Sequence, residues 1–191
     1  MPDKFEILAF SGSLRKGSYN QALLNACKML APADMTINIF NGIGELPHYV
    51  NTGQPETFPP VVEAFRTMLR KADALLIATP EFNYSISGVL KNAIDWGSRR
   101  PDIPLERKSI ALIGASMGAI GTARAQNHLR QIFVYFDAFV LNRPEVFVTA
   151  AHTKFDADGT LKDTETAEIL KTMLSAFRER TIALKQAGLA R

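Results

Sequence analysis

The chain of 191 residues contains 47% hydrophobic and 21% charged residues. This composition is typical of a globular protein and excludes an intrinsically disordered one, and the length fits a single domain over residues 1–191. The net charge of +3 comes from lysines and arginines that are scattered among 19 acidic residues rather than gathered in a stripe. The charge therefore suits a small anionic ligand, and nucleic acid is not an expected partner.

Cysteine usage, histidine spacing and hydropathy exclude several other classes. Cys27 is the single cysteine, so neither an intrachain disulfide nor a multi-cysteine metal site can form. The three histidines lie far apart in the sequence, and we expect no bound metal. No apolar run reaches the length of a membrane helix, and the first residues lack the pattern of a signal peptide. We therefore expect a cytoplasmic protein without a membrane partner.

Buried-strand patterns and helical periodicity alternate along the chain. In the first half they predict, in order, a strand over 5–10, a helix over 20–30, a strand over 36–40, a long loop over 41–60 and a helix over 61–70. In the second half they predict a strand over 74–79, a helix over 89–96, a strand over 109–115 and a helix over 122–136. Residues 139–141 and 146–148 supply a fifth strand, bent or broken at Pro144, and an amphipathic helix follows over 164–186. This alternation predicts an α/β fold with a doubly wound, five-stranded parallel sheet of order 2-1-3-4-5 and helices on both faces.

Three loops rich in glycine, serine and asparagine follow the first, third and fourth predicted strands. Their sequences are SGSLRKGSYN, PEFNYSISG and SMGAIG. Ligands of doubly wound sheets bind beyond the carboxyl ends of the strands, at the switch point between the first and third strands. We therefore expect the three loops to meet at one edge of the sheet and to form the binding site.

The first loop has the chemistry of a phosphate site. A loop that opens a helix presents unpaired amides and the positive end of the helix dipole. Ser11, Ser13 and Ser18 add hydroxyl donors, and Arg15 adds a charged partner. The alternative, that these residues only turn the chain and cap the helix, stays open for this loop taken by itself.

The same loop indicates which phosphate ligand to expect. GSLRKGS is close to the nucleotide P-loop motif, but Ser18 occupies the position of the lysine that reaches the terminal phosphates. No G-x-G-x-x-G motif follows any predicted strand, so the dinucleotide fingerprint is also missing. The sequence therefore favours a monophosphate, with the rest of the ligand over the third and fourth strands. In the second loop, Phe82 and Tyr84 suit a flat aromatic ring, although burial in the core is the alternative for Phe82.

The stretches GSLRKGSYN, PEFNYSISGVLKNAIDW and SMG resemble the NAD(P)H-dependent FMN reductase family of flavodoxin-like proteins, and most of all its quinone and chromate reductase branch. The resemblance spans nearly the whole chain. It implies that the FMN phosphate lies on Ser13, Arg15, Ser18 and the Asn20 amide, that the ring lies against 80–84, and that 116–118 covers its pyrimidine edge. The cofactor-binding residues expected in the three loops are Ser11, Ser13, Arg15, Ser18, Asn20, Gln21, Pro80, Glu81, Phe82, Asn83, Tyr84, Ser116, Met117 and Gly118.

The resemblance also implies an activity. The protein would be an enzyme in which NADPH or NADH reduces FMN, which then reduces a small acceptor such as a quinone or chromate by a ping-pong mechanism. The flavin carries the chemistry, so no catalytic side chain is expected. Arg99 and Arg100 lie in a basic stretch after the third helix. We expect them to bind the substrate together with Tyr84, and a solvated basic rim is the alternative.

Two other functions stay open. One is a flavodoxin-like electron carrier, although flavodoxins are usually acidic and this chain is basic. The other is a serine esterase, because residues 114–118 match G-x-S-x-G, and Asp137 and His152 follow Ser116 in the order of an esterase triad.

The stretch HLRQIFVYFDAFVLNRPEVFV carries more large apolar residues than one face of a monomer can bury. Large exposed apolar patches are typical of interaction sites. Together with the resemblance, this stretch predicts a subunit interface and a homodimer or homotetramer.

Overall fold

The computed structural model describes residues 5–51 and 57–190. Its centre is a parallel sheet in which the strands lie in the order β2-β1-β3-β4-β5, with β6 also paired to β4. The strands are β1 (Phe5–Ser11), β2 (Met35–Ile39), β3 (Ala74–Ala78), β4 (Ser109–Ala115), β5 (Phe139–Val140) and β6 (Val146–Val148). The predicted fold class and strand order are confirmed.

The helices follow the strands as a doubly wound fold requires. They are α1 (Tyr19–Leu30), α2 (Pro60–Lys71), α3 (Gly88–Gly97), α4 (Ala123–Val134), α5 (Ala151–Lys154) and α6 (Thr164–Gln186), with one 3₁₀ turn at Gly42–Glu45. The 3₁₀ turn interrupts the predicted loop over 41–60, and residues 52–56 of that loop lie outside the described residues.

Helices cover both faces of the sheet because successive strand residues point to opposite sides. Ile7 and Ala9 of β1 belong to the core cluster that α1 and α6 cover. Leu8 and Phe10 belong to the cluster that α2, α3 and α4 cover. Burial on both faces explains why the strand sequences are almost continuously apolar.

The fifth strand is divided into two pieces, as Pro144 predicts. β5 pairs with the start of β4 through Ser109 and Phe139, and β6 pairs with its end through Ile113 and Val146. Both pieces run parallel to β4. The stretch between them leaves the ladder where Pro144, which has no amide hydrogen, could not donate to it.

Candidate functional site

A cleft of about 280 Å³ lies at the carboxyl edge of the sheet, where the loops after β1, β3 and β4 meet. Residues of all three loops line it: Ser13, Arg15, Ser18, Tyr19 and Asn20 from the first, Pro80, Glu81 and Phe82 from the second, and Ala115, Ser116 and Met117 from the third. β1, β3 and β4 are adjacent in the sheet, so their carboxyl ends bring these loops together.

Ser18 begins helix α1 at the base of the cleft. Its buried Oγ accepts hydrogen bonds from the backbone amides of Asn20 at 3.2 Å and Gln21 at 3.5 Å. Ser18 is therefore the N-cap of α1. Because the hydroxyl acts here as an acceptor, its hydrogen is available to a ligand. The capping role and the predicted phosphate role are compatible.

Two other residues give the first loop its shape. The Oγ of Ser11 accepts from the amide of Ser13 at 3.1 Å, so Ser11 supports the loop from below the cleft. Gly17 has a φ of +70°, which glycine adopts without the steric cost of a Cβ. The chain can therefore reverse between Arg15 and Ser18.

Asn20 ties the first loop to the third. Its Nδ2 donates to the carbonyl of Ala115 at 3.1 Å, and its Oδ1 accepts from the amide of Ala115 at 3.0 Å. Both polar atoms of this buried side chain are therefore occupied, and Ala115 is the last residue of β4. Asn20 shapes the site by fixing the distance between two of its walls.

Arg15 and Gln21 lie at different distances from the cleft. Arg15 is exposed at its lip, where the guanidinium lies 5.3 Å from the centre of the Tyr19 ring. Gln21 does not line this cleft. It lines a neighbouring cleft of about 400 Å³, which shares Arg15 with the first, together with Asn25 and residues 156–159.

The second loop forms a tight turn over 82–85. The amide of Phe82 donates to the carbonyl of Ser85, and the amide of Ser85 donates back, both at 2.9 Å. Asn83 and Tyr84 have φ values of +50° and +71°, the pattern of a type I′ turn. Phe82 is 54% exposed and lines the cleft, so the core alternative for this ring does not hold. Tyr84 is 67% exposed at the tip, outside the cleft lining.

Glu81 connects the second loop to helix α4. Its Oε2 accepts from the backbone amides of Arg124 at 3.1 Å and Ala125 at 3.3 Å, and its Oε1 accepts from Arg124 Nε at 2.5 Å. The carboxylate thus satisfies free amides at the positive end of α4. The Arg124 guanidinium also lies 3.6 Å from the centre of the Tyr84 ring.

The third loop contains two backbone amides without a partner in the described part of the chain. The amide of Ser116 donates to the carbonyl of Val148, and the carbonyl of Ser116 accepts from the amide of Ala151, both at 2.9 Å. The amides of Met117 and Gly118 donate no hydrogen bond to any residue in 5–51 or 57–190. The amide of Met117, which lines the cleft, and that of the next residue are therefore free for a ligand within the described residues.

Comparison with known proteins decides the family. The family model described as NADPH-dependent FMN reductase matches residues 5–153. The chain belongs to this family. It is 49% identical to an NAD(P)H-dependent FMN reductase of Pseudomonas aeruginosa over 93% of this chain and 96% of the relative. It is 44% identical to a quinone reductase of Escherichia coli strain K12 over 94% of this chain and 96% of the relative.

The solved structures include a similar fold. The flavoenzyme NAD(P)H:acceptor oxidoreductase FerB of Paracoccus denitrificans superposes with a TM-score of 0.85 at 32% identity, over 94% of this chain and 98% of that one. This FMN reductase is therefore an NAD(P)H-dependent flavoenzyme, and FMN is its cofactor.

The cleft of this FMN reductase fits FMN at both ends. The start of α1, with the Ser18 hydroxyl and the Arg15 guanidinium, has the donors that a monophosphate needs. The exposed Phe82 ring and the free amides of Met117 and Gly118 suit a flat ring with carbonyl and imino acceptors.

Two predicted substrate residues do not reach the cleft. Helix α3 starts beside the first loop, where the Ser87 hydroxyl donates to the Gly12 carbonyl at 2.6 Å, and its ten residues run about 15 Å away from there. Arg99 follows its far end and donates to the Tyr49 hydroxyl at 2.7 Å. Arg100 is its exposed neighbour.

The esterase residues are not assembled into a triad. The Ser116 hydroxyl donates to the carbonyl of Gly118 at 3.4 Å. Asp137 follows the C-terminal end of α4, whose 12 residues separate it by about 18 Å from the edge that carries Ser116. The G-x-S-x-G match at 114–118 is therefore a chance occurrence, and Gly114 itself packs directly against Thr122.

Arg124 was not among the residues predicted from the sequence. Nothing near Arg124 in the sequence marks it, because both of its partners, Glu81 and Tyr84, are about 40 residues away in the chain. The reason is visible only in the structure, where Thr122, the residue before α4, makes no side-chain capping bond. A helix without its own cap needs a partner from elsewhere.

Over residues 5–51 and 57–190, no helix combines the length and the apolar character that a membrane span requires. In the same part of the chain, no three His, Cys, Asp or Glu side chains gather in an arrangement that could hold a metal ion.

Proposed function

We propose that this FMN reductase transfers electrons from NADPH or NADH to quinones. One feature carries the proposal: three loops from adjacent strands form a cleft with phosphate donors at one end and an open aromatic rim at the other. Relatives named as quinone reductases support the choice of acceptor, among them the Escherichia coli protein and, at 41% identity, a 2-hydroxy-1,4-benzoquinone reductase of Burkholderia sp..

The phosphate end provides binding energy and orientation. The Ser18 hydroxyl and the positive end of α1 hold the phosphate, and Arg15 closes over it from the exposed lip. Ser11 and Asn20 act through other residues, since their side chains hold the first loop in place. This end is remote from the reacting atoms and serves as an anchor.

The ring end provides electrostatics. When bound, FMN supplies the hydride and electron chemistry, and the protein supplies position and charge stabilisation. The free amides of Met117 and Gly118 are fixed donors for the negative charge that develops at the pyrimidine edge. Phe82 supports the ring, and its side chain has no hydroxyl with which to donate a proton.

We further propose a ping-pong order, in which NAD(P)H and the quinone occupy the same open face in turn. Met117 lines this face and is 64% exposed, and Tyr84, at the tip of the neighbouring turn, is 67% exposed. A nicotinamide and a quinone both need to stack against the ring, so one must leave before the other binds.

Steady-state kinetics with NADPH and 1,4-benzoquinone test this proposal. We expect turnover that depends on FMN, with parallel lines in double-reciprocal plots at several fixed quinone concentrations. Asp34→Asn serves as a control variant, because Asp34 lies before β2 at the opposite edge of the sheet. Lines that intersect would contradict the ping-pong order, and an absence of turnover with any quinone would contradict the proposed activity.

We also propose chromate as a second acceptor. The net charge of the protein is +3, so an anionic acceptor is attracted to the protein by its overall field. The rate of NADPH oxidation with chromate should fall as salt is added, whereas the rate with an uncharged quinone should stay nearly constant. Equal salt dependence for both acceptors would contradict this role of charge.

We also propose that the protein is cytoplasmic and forms a homodimer or homotetramer. Val134 and Tyr135, at the end of α4, are 77% and 74% exposed, and they support a subunit contact there. The remaining patch is smaller than the sequence led us to expect, because Leu129, Phe133 and Phe136 are buried within the monomer. A reducing compartment suits the free thiol of Cys27.

A further inference from the structure

The tight turn over 82–85 is held from outside by helix α4. Arg124 contacts Glu81 before the turn and Tyr84 at its tip. His128, one helical turn further along α4, shares a hydrogen bond of 2.9 Å between its Nδ1 and the Ser85 Oγ. We name these contacts the α4 clamp. The clamp fixes both ends and the tip of the turn that carries Phe82.

The turn has a physical need for such support. Tyr84 has a φ of +71°, which is uncommon for a residue with a bulky side chain and costs conformational energy. Its ring is mostly exposed, and its ring contact is with the Arg124 guanidinium at 3.6 Å. Cation–π contact of this kind stabilises the ring where it lies.

The charge arrangement makes Arg124 the central member of the clamp. The Glu81 side chain is only 9% exposed, whereas that of Arg124 is 35% exposed. A nearly buried carboxylate needs a charged partner, so loss of Arg124 would leave Glu81 with the amides of α4 alone. Glu81 would then move towards solvent and take the start of the turn with it.

We propose that Arg124 is a positioning residue for the ring end of the cleft. By holding Glu81 and Tyr84, it fixes the orientation of Phe82 against the flavin ring, independently of the phosphate end. Arg124 itself lines no part of the cleft, so it acts through these neighbours. The inference depends on the proposed function only in that a flavin binds in this cleft.

Riboflavin, which lacks the phosphate, separates the two ends of the site experimentally. Flavin-free protein is titrated with FMN and with riboflavin, and the quenching of flavin fluorescence gives each Kd. The variants are Arg124→Ala, which removes the clamp, and Arg124→Lys, which keeps the charge but loses the flat fork that stacks on Tyr84. Arg178→Ala is the matched control, because it breaks an arginine–carboxylate pair with Asp34 at the opposite edge of the sheet.

The proposal gives a distinct pattern. Arg124→Ala should raise the Kd for FMN and for riboflavin by the same factor, about tenfold, because Phe82 is no longer held in place against the ring. Arg124→Lys should raise both values by a smaller factor, and Arg178→Ala should change neither. If Arg124→Ala does not fold, a rise in both values with Arg124→Lys supports the proposal.

Other results would overturn it. Unchanged affinity for riboflavin in the Arg124 variants would do so, as would a loss confined to FMN, since that places Arg124 at the phosphate. An equal loss in Arg178→Ala would show a general effect of stability. A wild-type protein that binds neither flavin would contradict the proposed function itself, which is a different result from normal binding that Arg124 does not affect.

Discussion

Ser18 has two tasks in the structure and the proposed mechanism. Its Oγ caps α1 by accepting from the amides of Asn20 and Gln21, and its hydroxyl hydrogen is the proposed donor to the phosphate of FMN. The Ser18 hydroxyl therefore contributes both to the stability of the helix and, in the proposed mechanism, to the affinity for the cofactor. The two contributions can be measured separately, because helix capping is present in the flavin-free protein and phosphate binding requires FMN.

Ser18→Ala should affect both properties. We expect the free energy of unfolding of the flavin-free protein to fall by about 1 kcal/mol, as for the loss of an N-cap. The Kd for FMN should rise about tenfold or more through one lost hydrogen bond to a charged group, whereas the Kd for riboflavin should hardly change. Denaturant titration and flavin fluorescence measure the two effects. An unchanged affinity for FMN would remove Ser18 from the phosphate site.

Cys27 lies on the buried face of α1 and makes no contribution to the site. Burial raises the pKa of its thiol to about 12 because the thiolate is poorly solvated there. The folded protein should therefore react very slowly with a thiol reagent at neutral pH, and unfolding in denaturant should expose one reactive thiol per chain. Rapid reaction of the folded protein would contradict this burial.

Individual residues differ in how far the sequence reveals them. Ser18 and Phe82 could be predicted because a cap before a helix and an aromatic residue after a buried strand are local patterns. The position of Arg99 away from the cleft could not be predicted from the sequence, because it depends on the direction and length of α3. Arg124 was missed because its role depends on a contact with Glu81 across the cleft edge.

An ion pair joins the last helix to the edge strand of the sheet. Arg178 of α6 donates from Nε to both carboxylate oxygens of Asp34, at 3.0 and 2.9 Å, just before β2. Hydrogen bonds from Arg178 lower the pKa of Asp34 below its ordinary value. The pair connects elements that lie more than 140 residues apart in the chain.

This pair should make stability depend on pH in a defined direction. Because the pKa of Asp34 is lower in the folded state, its contribution is complete above the ordinary aspartate pKa and disappears as the pH falls through the folded value. The difference in unfolding free energy between wild type and Asp34→Asn should therefore be largest at neutral pH and should become smaller at acidic pH. Urea titrations over this range measure it, and a difference that grows in acid would contradict the assignment.

Most elements could be predicted because periodicity and burial agree along them. The strand Ser109–Ala115 and the helix Thr164–Gln186 have the predicted bounds. The short helix α5 was not predicted, since its four residues are too few to show a helical period. Its position depends on the contact between the amide of Ala151 and the carbonyl of Ser116, which the local sequence does not encode.

The exposed end of α4 should form the contact between subunits. Tyr135→Lys places a charge on the proposed interface and should shift the protein towards monomer in sedimentation at micromolar concentration. Met29→Lys is the control, because Met29 is an exposed apolar residue on α1. A wild-type monomer at this concentration would contradict the interface, and so would an equal shift in both variants.

The doubly wound sheet explains why so much of the site could be located in advance. Parallel strands send their carboxyl ends to one edge, so loops far apart in sequence meet there once the strand order is known. The structure confirms the order and brings the three loops around one cleft. The tertiary contacts that hold the walls together, through Asn20 and Arg124, appear only in three dimensions.

The most direct test of electron transfer through this cleft is anaerobic absorbance spectroscopy of the FMN-loaded protein. Addition of NADPH should bleach the yellow flavin band, and subsequent addition of 1,4-benzoquinone should restore it in full. A protein that acquires no flavin band with FMN, or a bound band that NADPH leaves unchanged, would contradict the account.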